Sequence, residues 1–213
     1  MSFENFKLFK KNKLNNTNNE IIINDKFIFI QIPKTSSTVV YNMCAKYNLT
    51  KCIECYRHEG LLYIENFIKK EVPVYAIVRN PYSHIYSYFF HKINKNELIL
   101  DNKLNVVQNF EIFVMNNVND VHLCQCSYIR SNKGIIVKTF KYEDKNFYDY
   151  LCNTYNLINE NKIVNENKLS IYKKENIKNF FINKDIVNLI IKNRKEEFEM
   201  FNYSTDINDI VII

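Results

Sequence analysis

Lys26-Phe-Ile-Phe-Ile-Gln-Ile-Pro-Lys-Thr-Ser-Ser-Thr38 decides the fold. Its first seven residues are mostly β-branched or aromatic, as in a buried strand, and Pro33 ends the run. Ser36 to Tyr47 then carries Val39, Val40, Met43, Cys44 and Tyr47 close to i, i+4, i+8 spacing, with Thr35 or Ser36 available as an N-cap, which predicts a helix. The same unit recurs downstream. Pro73-Val-Tyr-Ala-Ile-Val78 is apolar throughout, as a strand covered on both faces would be, and Asn80-Pro81 opens an aromatic-rich helix over Tyr82 to Ile93. Gly134 to Phe140 reads as a third strand. Helices are predicted over Glu59 to Lys70, Val107 to Val118, Asp144 to Tyr155 and Asp185 to Phe201. Strands alternating with helices predict an α/β fold: a single domain with a mostly parallel central sheet flanked by helices. The polar leader covers residues 1–20 and the domain residues 21–213.

Composition narrows the functions. The chain has 213 residues, 46% of them hydrophobic, enough for a sizeable core. Its two glycines, Gly60 and Gly134, exclude both the glycine-rich dinucleotide fingerprint and a Walker A loop, each of which needs several glycines within a few positions. The 34 Asn, 29 Ile and 25 Lys make up 41% of the chain and all use A/T-rich codons, so the asparagine content reads as codon bias rather than as a prion-like tract. A net charge of +6 suits anionic partners. No apolar stretch reaches the length of a membrane span, and residues 1–20 have no signal-peptide core, so a soluble cytoplasmic protein with no membrane insertion is expected, in the host cytoplasm if the chain is viral. The six cysteines are then expected as free thiols. Cys52, Cys55, Cys124 and Cys126 could supply four zinc ligands, but the second pair is spaced too tightly for a standard zinc knuckle, and no metal site is expected.

The chemistry gathers where strands end. Pro33-Lys-Thr-Ser-Ser-Thr38 sets N–H donors, a lysine and hydroxyls at a helix N-terminus, which attracts anions. After the second strand, Arg79 can grip a phosphate with its planar fork while Ser87, on the following helix, closes the other side. Two anion grips on one sheet suit a nucleotide with separated charges.

Ile32-Pro-Lys-Thr-Ser-Ser-Thr38 and Val78-Arg-Asn-Pro-Tyr-Ser-His-Ile-Tyr-Ser87 together resemble the two phosphate motifs of the sulfotransferases, in particular the carbohydrate-type branch. The resemblance continues through Gln125-Cys-Ser-Tyr-Ile129, Phe140-Lys-Tyr-Glu143 and Glu197-Phe-Glu-Met-Phe-Asn-Tyr203. It departs at Ser37, where that family commonly has glycine, and at His84, where it commonly has arginine. It implies a P-loop NTPase-like sulfotransferase fold and sulfuryl transfer from 3′-phosphoadenosine 5′-phosphosulfate (PAPS), without a metal. Lys34, Thr35, Ser36, Ser37 and Thr38 would hold the 5′-phosphosulfate, and Arg79 with Ser87 the 3′-phosphate.

In-line sulfuryl transfer asks for a cation at the leaving oxygen, for which Lys34 is the natural choice, and for a base at the acceptor hydroxyl. His58 fits best of the four histidines, since it lies between the two motifs, where related sulfotransferases commonly place their base; Glu59 is second. The expected partners are the nucleotide donor and a hydroxyl-bearing acceptor, a carbohydrate or small molecule. Lysines scattered among asparagines argue against nucleic acid. The competing readings are a nucleotide or small-molecule kinase with a degenerate P-loop and a non-catalytic anion-binding module. Neither the acceptor nor the oligomeric state is legible.

Overall fold

The computed structural model describes residues 20–52, 57–157 and 176–210. Five strands form one sheet: β1 (Glu20–Ile23), β2 (Ile28–Ile30), β3 (Lys51–Cys52), β4 (Val74–Val78) and β5 (Val137–Lys141), in the order β3-β1-β2-β4-β5. β2, β4 and β5 run parallel, with Ile30 opposite Ala76 and Val78 opposite Lys141. β1 is antiparallel to β2 and to the two-residue β3. Leaving β3 aside, three of four strands share one direction, so the sheet is mostly parallel. The polar leader lies outside the described residues but for Glu20, which starts β1.

β4 is buried along its whole length, as its unbroken apolar run requires, and its alternate residues feed two different cores. Tyr75 and Ile77, with Phe29 of β2, face α1 (Ser37–Lys46) and α6 (Phe147–Tyr155) through Val40, Met43, Cys44, Phe147 and Leu151. Val74, Ala76 and Val78, with Ile28 and Ile30, face α2 (Leu61–Ile64) and α5 (Gln125–Ile129) through Leu61, Ile64, Cys126 and Tyr128. A third core is purely helical. α3 (Pro81–Asn94), α4 (Val106–Asn117), α7 (Lys184–Asn193) and α8 (Lys195–Met200) pack there around Tyr82, Phe89, Phe110, Phe113, Phe180 and Phe198.

Several sequence expectations change, and β3 and α5 are elements that were not expected. The helix expected over Glu59 to Lys70 is a single turn, α2. The one expected over Asp185 to Phe201 breaks at Arg194 into α7 and α8. β1 adds a strand where none was expected: Asn24 Oδ1 accepts from the N–H groups of Lys26 (2.9 Å) and Phe27 (3.0 Å), turning the chain back on itself. No described helix is long and apolar enough to cross a membrane.

Four helices, α1, α3, α6 and α8, end alike. Asn48, Asn96, Asn156 and Asn202 take left-handed φ values of 54, 54, 54 and 51°. The next N–H returns five residues: Leu49 to Cys44, Glu97 to Lys92, Leu157 to Cys152 and Tyr203 to Phe198, at 2.9 to 3.0 Å. These are Schellman ends with asparagine in the position usually held by glycine.

Candidate functional site

β2 and β4 are neighbours and parallel, so the segments leaving their C-terminal ends, Gln31 to Ser36 and Arg79 to Asn80, lie side by side. This edge of the sheet is where α/β proteins build their sites. Four consecutive carbonyls of the first segment are each held by a side chain. His58 Nδ1–H donates to Gln31 O (2.6 Å), Thr35 Oγ1 to Ile32 O (2.9 Å), His84 Nε2–H to Pro33 O (2.8 Å) and Arg79 Nη1 to Lys34 O (3.1 Å). The loop therefore has its acceptors satisfied by protein and leads straight into the N-terminus of α1, whose first N–H groups have no intrahelical partners.

The backbone of this loop is strained. Lys34 and Ser36 have φ of 63 and 67°, each left-handed without being glycine. Ser36 Oγ accepts from Tyr148 Oη at 2.8 Å, which ties the second of these residues to α6. Ser37 already belongs to α1, so glycine-like freedom is required at positions 34 and 36 and not at Ser37.

The candidate residues divide into two groups. Lys34, Ser36, Ser37, Thr38, His58 and Arg79 converge on this edge, with Thr38 exposed in the first turn of α1. Thr35 is wholly buried and its hydroxyl turns inward to Ile32, so it shapes the loop. Ser87 is buried in the second turn of α3, whereas the serine that bonds Arg79 is Ser83, whose Oγ accepts from Arg79 Nε at 3.0 Å. The Arg79 guanidinium also lies 4.6 Å from the Tyr142 ring centroid. Arg57, beside the candidate base, donates from Nε to Gln31 Oε1 (2.7 Å) and lies 4.4 Å from the centroid of Tyr41. Ser83 at i+4 from Arg79 and Arg57 beside His58 were signals available in the sequence; Tyr148 carried none.

The electrostatics are those of crowded cations. Burial lowers the Lys34 pKa, and Arg79 and Lys95 lower it further. Burial also lowers Arg57, opposed by Tyr41, and Arg79, opposed by Tyr142 and Glu143. His91, on α3, is lowered to about 4, first by burial and then by Lys34 and Lys95. Among the described residues no carboxylate lies within ion-pair distance of Lys34, Arg57, Arg79 or Lys95. An anion bound here would relieve the repulsion.

His58 keeps a face open to solvent while protein crowds around its ring. Desolvation lowers its pKa, opposed by the Gln31 bond and aided by Arg57, His122 and Lys34. Because Nδ1 carries the proton donated to Gln31, the neutral ring presents a lone pair at Nε2. Glu59 is buried, and its charge is felt by Tyr128. His84 is fully buried, its pKa lowered to about 3 by desolvation above all; its Nε2 bond holds the loop.

Behind the site lie the three remaining resembling segments. Glu143 Oε1 accepts from Asn80 N–H at 2.9 Å, and Tyr203 Oη donates to Glu143 Oε2 at 2.7 Å. Gln125 bonds both the N–H and the carbonyl of Arg79. Of the cysteines considered for zinc, Cys126 is buried with Sγ 3.8 Å from Met200 Sδ, and Cys55 lies outside the described residues. Comparison of the chain with models of known protein families, with curated proteins and with solved structures finds no match in any of the three.

Proposed function

We propose that the chain is a PAPS-dependent sulfotransferase acting on a hydroxyl acceptor, a carbohydrate or small molecule. The observation that carries this reading is the bond from Arg79 Nη1 to Lys34 O, which joins the two anion grips at adjacent parallel strand ends. In this reading the N–H groups entering α1 and the Ser36, Ser37 and Thr38 region take the 5′-phosphosulfate. Arg79 takes the 3′-phosphate together with Ser87, and Ser83 holds the Arg79 fork. Lys34 meets charge developing on the leaving oxygen, and His58 Nε2 accepts the acceptor's proton.

The decisive experiment is isothermal titration with 3′,5′-ADP, 5′-AMP and ATP, followed by labelled PAPS with a panel of hydroxyl acceptors. Preference for the 3′-phosphorylated nucleotide together with label transfer supports the reading. Equal affinity for 3′,5′-ADP and 5′-AMP ends it, and Mg²⁺-dependent consumption of ATP would replace it with a kinase.

A further inference from the structure

Gln125, the first residue of α5, is completely buried, and its amide pairs with the backbone N–H and carbonyl of one residue. Arg79 N–H donates to Gln125 Oε1 at 2.7 Å, and Gln125 Nε2 donates back to the Arg79 carbonyl at 2.8 Å. The pairing copies one rung of a β-ladder and fixes which way the amide points. The second Nε2 proton goes to Glu197 Oε2 at 2.8 Å, while Glu197 Oε1 accepts the backbone N–H of Gln125 at 3.0 Å. One carboxylate thus grips both ends of the glutamine. Arg194 lies behind it, with Nη1 3.4 Å from Glu197 Oε1 and Nη2 donating to the Asp120 carbonyl at 3.3 Å.

All three side chains are buried, Arg194 at 3% and Glu197 at 1% exposure. A buried ion pair of this kind often stabilises no more than a well-packed apolar filling would. What the polar arrangement adds is a single orientation, delivered to the two peptide groups that flank the Arg79 Cα, from which the guanidinium projects toward Ser83 and the Lys34 carbonyl.

We propose that Gln125, held by Glu197 and Arg194, is a positioning residue that sets the Arg79 grip. The inference rests on the nucleotide reading in taking a 3′-phosphate as the ligand of Arg79.

The test compares wild type, Gln125→Met and Gln125→Glu for binding of 3′,5′-ADP and 5′-AMP by calorimetry. The ratio of the two dissociation constants isolates the 3′-phosphate. Gln125→Glu keeps the size and the acceptor for the Arg79 N–H, and replaces the donor to both the Arg79 carbonyl and Glu197 by a carboxyl oxygen. In both variants the ratio should fall by about tenfold or more, the scale of a charge-assisted hydrogen bond, with 5′-AMP affinity held within about twofold. A merely structural glutamine would lower the melting temperature and leave the ratio intact. An intact ratio in folded variants, while wild type discriminates, overturns the positioning role alone. Failure of wild type to discriminate overturns the nucleotide reading and this role with it. Should neither variant fold, hydrogen exchange in wild type decides: the Arg79 amide should exchange as slowly as those of β4, and rapid exchange overturns the proposal.

Discussion

Arg79 Nη1 lies 3.1 Å from the carbonyl oxygen of Lys34, so the residue that leaves β4 is bonded to the residue at the centre of the loop that leaves β2. A ligand that orders one of them favours the other, and by linkage the coupling runs both ways.

Arg79→Ala should weaken 3′,5′-ADP by about 1.5 to 3 kcal/mol, roughly ten- to a hundredfold, the range for a charge-assisted hydrogen bond. 5′-AMP should lose much less. Arg79→Lys keeps the charge but not the fork that reaches both Ser83 and Lys34, and should fall between. Titration calorimetry reads all three, and an undiminished affinity in Arg79→Ala would return the residue to a structural role.

Lys34→Ala should depress turnover far more than it weakens the nucleotide product, because the charge it meets develops at the leaving oxygen. The lowered Lys34 pKa carries a second expectation. A bound anion favours the ammonium, so as pH rises through the pKa of the free protein, nucleotide binding takes up a proton and affinity falls. Calorimetry in buffers of different ionisation heat measures that uptake, which Lys34→Ala should abolish.

For His58 the sign follows from the direction of its shift. Its pKa lies below 6.5, so the ring is neutral and able to accept a proton above that point and loses this capacity as pH falls through it. Turnover should therefore climb with pH through an ionisation below 6.5 and level off beyond it. His58→Ala should lower turnover by about a hundred- to ten-thousandfold, remove that ionisation and leave nucleotide affinity almost unchanged. Near-normal turnover in the variant would make Glu59 the next residue to test.

His84 predicts acid sensitivity. Its pKa is about 3 folded against 6.5 for a free imidazole, so between those values the unfolded chain binds the additional proton. Stability should decline as pH drops below 6.5, by about 1.4 kcal/mol per pH unit, until the folded ring titrates near 3. His91, less deeply buried, should add a smaller share down to about 4. His84→Gln, which retains a donor for Pro33, should flatten the slope in urea unfolding followed across this range.

The parallel three-strand centre was legible because β2 and β4 are short apolar runs stopped by punctuation, Pro33 in one case and Asn80-Pro81 in the other. β1 escaped notice because Ile21 to Ile23 abuts the polar leader, although Asn24-Asp25 is an ordinary turn signal. The residues that gather at the ends of β2 and β4 could be named from strand, loop and helix order. The distant supports could not, since Gln125 lies 46 residues from Arg79 and Glu197 a further 72 away, and no local pattern announces so distant a contact. Periodicity also overran α2, where tertiary packing leaves one turn from a twelve-residue amphipathic pattern.

The asparagines that close α1, α3, α6 and α8 matter most when the chain is unfolded. Glycine at those four points would relax the folded backbone, but each glycine also widens the range of shapes open to the denatured chain by about 0.4 to 1 kcal/mol. With asparagine in place of glycine at these four ends, the chain surrenders less entropy there on folding.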